Sequence, residues 1–136
     1  MARPIVERTY GPARRHLTKE LKRHIKGAVG RLDSQPLAIT IRERGQIVGG
    51  LVARMFLGWL FIELLWVSDE RRQRGLGRSL MQKAELEARK RGIGSVYLDT
   101  FSFQAPGFYK KLGYREFGKL NDFPTGHTRH WMTKAL

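Results

Sequence analysis

Residues 71–78 read Arg-Arg-Gln-Arg-Gly-Leu-Gly-Arg and stand between two different patterns. Ahead of them, residues 59–67 have the length and the aromatic and β-branched content of a buried strand. Beyond them, Leu76, Leu80, Ala84 and Ala88 recur every four residues, the apolar stripe of a helix expected over residues 77–91 and closed by Arg91-Gly92. A strand that feeds a glycine-rich turn and then a helix start aims several free backbone N–H groups, and the positive end of a helix dipole, at one point. A pyrophosphate suits such a point, so the chain is expected to bind a cofactor that carries phosphates.

The flanking segments constrain the sheet around that turn. Residues 37–44, 46–56 and 59–67 are strand-like runs separated by Arg44-Gly45 and Leu57-Gly58, spacings short enough to force antiparallel hairpins. Residues 95–100, with Val96, Tyr97 and Leu98, follow the 77–91 helix and so pair in parallel with residues 59–67 through a crossover. Residues 5–10 are expected to form a first strand, broken by Gly11-Pro12 with Pro12 placed to open a helix. Leu17, Leu21, Ile25 and Val29 then form a narrow stripe without an aromatic anchor, expected to pack on a core rather than lie on a membrane. Residues 105–112 read as a short helix stopped by Gly113, with strands at 114–117 and 129–134. The expectation is one α/β domain over residues 1–136, built on a mixed, mostly antiparallel seven-strand sheet with about three helices.

Composition excludes some chemistry. The chain has no cysteine, which removes disulfides, thiolate nucleophiles and Cys-ligated zinc. The first eight residues lack the apolar stretch of a signal peptide, and residues 48–67 are interrupted by Gly49, Gly50, Arg54, Gly58 and Glu63, so a cytoplasmic protein with no membrane span is expected. Lysine and arginine outnumber acids 26 to 12, a formal charge of +14 that attracts phosphates of any origin. Charge alone does not separate a small phosphorylated ligand from nucleic acid.

With the elements in this order, the chain resembles the GNAT superfamily of acyl-CoA-dependent N-acyltransferases. Its signature of Gln or Arg, two residues, Gly, one residue, Gly or Ala is met by Arg72, Gly75 and Gly77, with Val67 at the preceding strand end. A second signature is met by Ala105-Pro106-Gly107-Phe108-Tyr109-Lys110-Lys111-Leu112-Gly113-Tyr114. Two motifs about one crossover apart, in the right context, are far more specific than either alone. Where many members carry an asparagine ahead of the short helix, the resemblance implies that Gln104 supplies the amide in its place.

The resemblance implies a sheet splayed between the family's fourth and fifth strands, acetyl-CoA as co-substrate, and direct transfer of its acetyl group to a primary amine of a small molecule or of a peptide or protein. It implies that the backbone of Arg72, Gln73, Arg74, Gly75, Leu76, Gly77 and Arg78 cradles the pyrophosphate, and that the Val67 N–H bonds the thioester oxygen. Tyr109 takes the place of the acid toward the departing sulfur, a role suited to a phenol that stays protonated at neutral pH. Glu63 is the expected base, being a carboxylate in an apolar strand on the same face as Val67 under strict alternation, with a salt bridge to Arg54 as the structural alternative. Asp99 is the second candidate base, with a turn role before Phe101 as its alternative. His127 and His130 read as pocket lining or a turn rather than a metal site, and no metal is expected. Trp59, Trp66 and Trp131 are candidates for an acceptor pocket, with core packing expected for Trp66. Two other classes compete: a nucleic-acid module, disfavoured because aromatics do not interleave with the basic runs, and a sensor that binds acyl-CoA without turnover. A monomer or homodimer is expected.

Overall fold

The computed structural model of the chain describes residues 2–32 and 34–136. They fall into two compact units, one ending at Leu32 and one comprising the rest. The first carries helix α1 (Gly11–Val29), opened by Pro12 and closed by Gly30 at φ 75°, whose N–H bonds the Lys26 carbonyl at 2.8 Å. No residue of α1 is buried, and Leu17, Leu21 and Val29 of the expected apolar stripe are exposed. The expected strand at residues 5–10 is also absent. β-branched composition favours a strand only where a partner ladder exists, and Ile5 and Val6 have none.

The second unit is a six-stranded sheet in the order β1-β2-β3-β4-β6-β5, one strand fewer than expected. Its strands are β1 (Ser34–Glu43), β2 (Gln46–Phe56), β3 (Trp59–Val67), β4 (Ser95–Phe101), β5 (Arg115–Asn121) and β6 (Thr128–Ala135), with helices α2 (Leu76–Lys90) and α3 (Pro106–Lys111). Both two-residue hairpin turns hold positive φ at each central residue: Arg44 51° and Gly45 79°, then Leu57 49° and Gly58 87°. That mirror-image geometry matches the right-handed twist of the flanking strands, which is why two residues suffice.

One face of this sheet is buried. Leu51, Ala53 and Met55 of β2, Leu60 and Ile62 of β3, Val96 and Leu98 of β4 and Met132 of β6 pack with Leu80, Met81, Ala84 and Ala88 of α2. The predicted i+4 stripe of α2 is therefore the core seam. Glu85 is buried beside it, where its carboxylate accepts hydrogen bonds from the Tyr114 hydroxyl and the Lys134 ammonium, each at 2.8 Å. The other face leaves Trp59, Leu64, Trp66 and Phe117 exposed, so the core packing expected for Trp66 is not observed.

Two features position the site. First, β3 and β4 pair in parallel only from Trp59–Ser95 to Ile62–Leu98 and then diverge. Second, the β2–β3 register shifts: Ala53 faces Ile62 while Val52 faces Leu64, which leaves Glu63 as the extra residue of a β-bulge. The fork and the bulge coincide, so Glu63 and Asp99 are the first residues beyond the last paired position on each diverging strand.

Candidate active site

Between the diverging strands and the start of α2 lies a cleft of ≈ 840 Å³, lined by Leu65, Trp66 and Val67, by residues 71–73 and 75–78, and by Asp99, Phe108 and Tyr109 among others. Its phosphate-facing end is backbone. The first bond of α2 is Ser79 N–H to the Gly75 carbonyl at 3.0 Å, which leaves the N–H groups of Leu76, Gly77 and Arg78 without an intrahelical acceptor. Gly75 caps the helix at φ 75°, a conformation that costs other residues about 1 kcal/mol or more. Gly77 is small for a different reason: a Cβ there would stand 3.3 Å from the Phe108 ring. The first signature is thus locked to the second by packing as well as by sequence.

The arginines divide into straps and free cations. Arg72 donates from Nε to the Val67 carbonyl at 3.2 Å and pairs with Asp69 at 3.0 Å, tying the strand end to the turn. Arg71 is bound to Glu43 of β1, and its hydrogen bond, with the charges of Arg71 and Arg74 adding to it, holds the Glu43 carboxyl below its ordinary value. Arg74 lies near enough to that carboxylate for its charge to act on it. Arg78 lines the cleft with no ion pair among the described residues.

Alternation supplies the other donors. The Ser68 N–H bonds the Val48 carbonyl of β2 at 2.9 Å, so the N–H groups of Val67 and Leu65 point the opposite way, into the gap that β4 has vacated. Val67 was expected from its place at the strand end; Leu65 was missed, although the same two-residue period offers it.

Tyr109 is brought to the cleft by α3, its ring edge-on to Phe108 and Tyr114 at 5.0 and 6.0 Å between centroids. Burial first, and then the nearby negative charge of Asp99, push its hydroxyl up to about 12. It is a neutral donor at any physiological pH. Asp99 is 14% exposed, and its Oδ1 accepts from both Nε and Nη2 of Arg129, at 2.7 and 2.6 Å. Arg129 in turn lies against the rings of Phe101, Phe123 and Trp131, within 4.8–5.2 Å of each centroid. Asp99 is therefore an ion-pair residue on the cleft wall and has no turn role.

Glu63 departs from the expected face. The bulge breaks the alternation, so Glu63 is directed to the open face of the sheet beside Arg54, 3.6 Å away, and not toward the α2 side with Val67. Its charge is near enough to Tyr97, another open-face residue, to add to the effect of burial in raising that hydroxyl. The carboxylates of Glu63 and Asp99 consequently flank the fork from the side opposite α2. Gln104 accepts from the Phe101 N–H at 3.0 Å and so braces the turn before α3. His127 contacts Ser102, and His130 is bound to Glu116; among the described residues no cluster is arranged to hold a metal. No helix is long and apolar enough to cross a membrane.

A crossover whose parallel strands part beside an N–H-rich helix start defines an α/β protein with a cleft for a phosphate-bearing ligand. The sequence model of the Acetyltransferase (GNAT) family matches residues 3–114, and the chain belongs to that family. It is similar to the Blasticidin-S acetyltransferase of Streptomyces morookaense, with 39% identity over 110 residues, 77% of this chain and 81% of that one. A crystal structure of an acetyltransferase from Bacillus cereus superposes with a TM-score of 0.87 at 31% identity over 98% of both chains. One from Agrobacterium tumefaciens gives 0.92 at 31% identity over 100% of both. The protein is an acyltransferase of the N-acetyltransferase type.

Proposed function

We propose that the protein transfers the acetyl group of acetyl-CoA directly to a primary amine of a small molecule, with no covalent enzyme intermediate, and that residues 1–136 act as one catalytic domain. The observation that carries this reading is the coincidence of three things in one cleft: orphan N–H groups at the start of α2, inward N–H groups on β3, and a buried phenol opposite them. Bound acetyl-CoA supplies an activated acyl group on a good leaving sulfur. The N–H groups of Gln73 and of Gly75 to Arg78, with the Arg78 guanidinium, hold the diphosphate. The N–H groups of Leu65 and Val67 fix the pantetheine arm of acetyl-CoA along the vacated edge of β3, and Val67's donates to the acyl oxygen as negative charge gathers there. As the amine nitrogen bonds the acyl carbon and the carbon–sulfur bond breaks, Tyr109 gives its proton to the sulfur. Glu63, held only loosely by Arg54, takes the proton from the amine directly or through water.

Asp99, gripped by Arg129, shapes the fork and supplies negative charge to attract the amine. The small-molecule acceptor is supported by a relative named for acetylating one. The +14 net charge, with few acids to offset it, disfavours a polycationic acceptor. The test is calorimetric titration with acetyl-CoA followed by thiol release across a panel of amines. Binding with amine-dependent release is expected; binding without release from any amine overturns the reading in favour of a sensor.

A further inference from the structure

On the open face of the sheet, the pairing registers place five residues in one row across five strands: Arg54 pairs with Phe61, Phe61 with Tyr97, Tyr97 with Thr133 and Thr133 with Arg115. All five line a single pocket of ≈ 640 Å³, with Trp59 and Phe117 completing its apolar wall. Phe61 and Tyr97 stack at 4.7 Å with 15° between their planes, and Trp59 meets Tyr97 edge-on at 5.9 Å. Phe61 and Tyr97 cover each other's faces, so the floor of the pocket is built from aromatic ring edges. The row lies two residues below Glu63 and Asp99, about 7 Å along the strands. At its ends the two arginines differ. Arg54 is committed to Glu63 and to the Ser34 hydroxyl, whereas Arg115 makes no ion pair among the described residues. A concave, mostly apolar pocket of this size with one uncommitted cation at its rim and carboxylates at its head has the character of a small-molecule site.

We infer that this pocket holds the body of the acetyl acceptor: an aromatic ring whose face meets the edges of Phe61 and Tyr97, an acidic substituent taken by Arg115, and the amine presented at the fork between Glu63 and Asp99. The inference rests on the transferase reading above and narrows it to amines that also carry a flat ring and an anionic group. Charge complementarity sets the orientation. The amine goes to the two carboxylates and the acid to the free guanidinium, and the reverse placement opposes like charges at both ends. Because the pocket opens opposite the α2 side, acceptor and acyl donor would reach the fork from opposite faces of the sheet.

The test compares 4-(aminomethyl)benzoate, benzylamine, which lacks the acid, and 4-(aminomethyl)cyclohexanecarboxylate, which lacks the flat ring. Wild type is expected to favour 4-(aminomethyl)benzoate at least tenfold in kcat/KM over each of the other two. Arg115→Gln should erase the preference over benzylamine by lowering kcat/KM for 4-(aminomethyl)benzoate at least tenfold. Phe61→Leu should erase the preference over the cyclohexane compound. Calorimetry of 4-(aminomethyl)benzoate in the presence of CoA separates this inference from its foundation. Arg115-dependent binding with no turnover supports the pocket and overturns the transferase reading, whereas turnover of all three amines at similar rates overturns the pocket alone. A wild-type dimer that Phe117→Asp converts to monomer would assign the face to a second copy of the chain and also overturn it.

Discussion

Removing the Tyr109 hydroxyl, as Tyr109→Phe, isolates the acid while keeping the ring contacts to Phe108 and Tyr114. Burial and Asp99 raise this hydroxyl from 10.0 to about 12, so the site favours the protonated phenol by roughly 3 kcal/mol more than water does. The group therefore stays protonated until charge develops on sulfur, donating a hydrogen bond that strengthens as its proton passes across, and a bond to a charged partner is worth about 1.5–3 kcal/mol. That range converts to roughly a 10- to 150-fold loss in kcat. KM for acetyl-CoA should stay within about twofold, because the interaction gains its strength only as the sulfur departs. A thiol reagent reads the release of CoA without background, since the chain contains no cysteine. Turnover of Tyr109→Phe within threefold of wild type at saturating acetyl-CoA would refute the assignment, and an equal loss in both kcat and melting temperature would reassign Tyr109 to packing.

Gly75→Ala places a side chain at φ 75° in otherwise open space, so its cost of about 1 kcal/mol should appear as a lowered melting temperature and a weaker acetyl-CoA titration. Unchanged values would show that the turn relaxes. Glu85→Ala leaves the Tyr114 hydroxyl and Lys134 ammonium without their shared acceptor and should cost about 2–3 kcal/mol by urea melt, with Glu85→Gln recovering part of it. Because the folded pKa of Tyr109 lies above its unfolded value, the stability it contributes is complete below about pH 10 and is lost as pH rises toward about 12. The Tyr109→Phe melting curve should accordingly flatten relative to wild type across that interval. Glu63→Gln should lower kcat by about 100-fold at saturating acetyl-CoA, and turnover within threefold of wild type would discard Glu63 as the base.

Local pattern determined much of this protein. Two-residue turns of the Arg44-Gly45 and Leu57-Gly58 kind admit only tight hairpins, so β2 and β3 begin and end where the sequence puts them. The four-residue stripe Leu76-Leu80-Ala84-Ala88 identifies the buried side of α2, and the glycine turn ahead of it marks the helix start that leaves N–H groups unpaired. These are signals in which each residue's neighbours along the chain carry the whole constraint. The tertiary structure decided the rest, because it depends on which strand lies beside which. Ile5 and Val6 have strand composition but no ladder to join, and the apolar stripe of α1 is real yet buries nothing. A bulge at Glu63, set by the β2–β3 register, turned that carboxylate to the opposite face from the one that alternation predicts. Only the divergence of β3 from β4 made the Leu65 and Val67 N–H groups available and set Glu63 and Asp99 on either side of the fork, a juxtaposition of residues 36 positions apart that no local rule encodes.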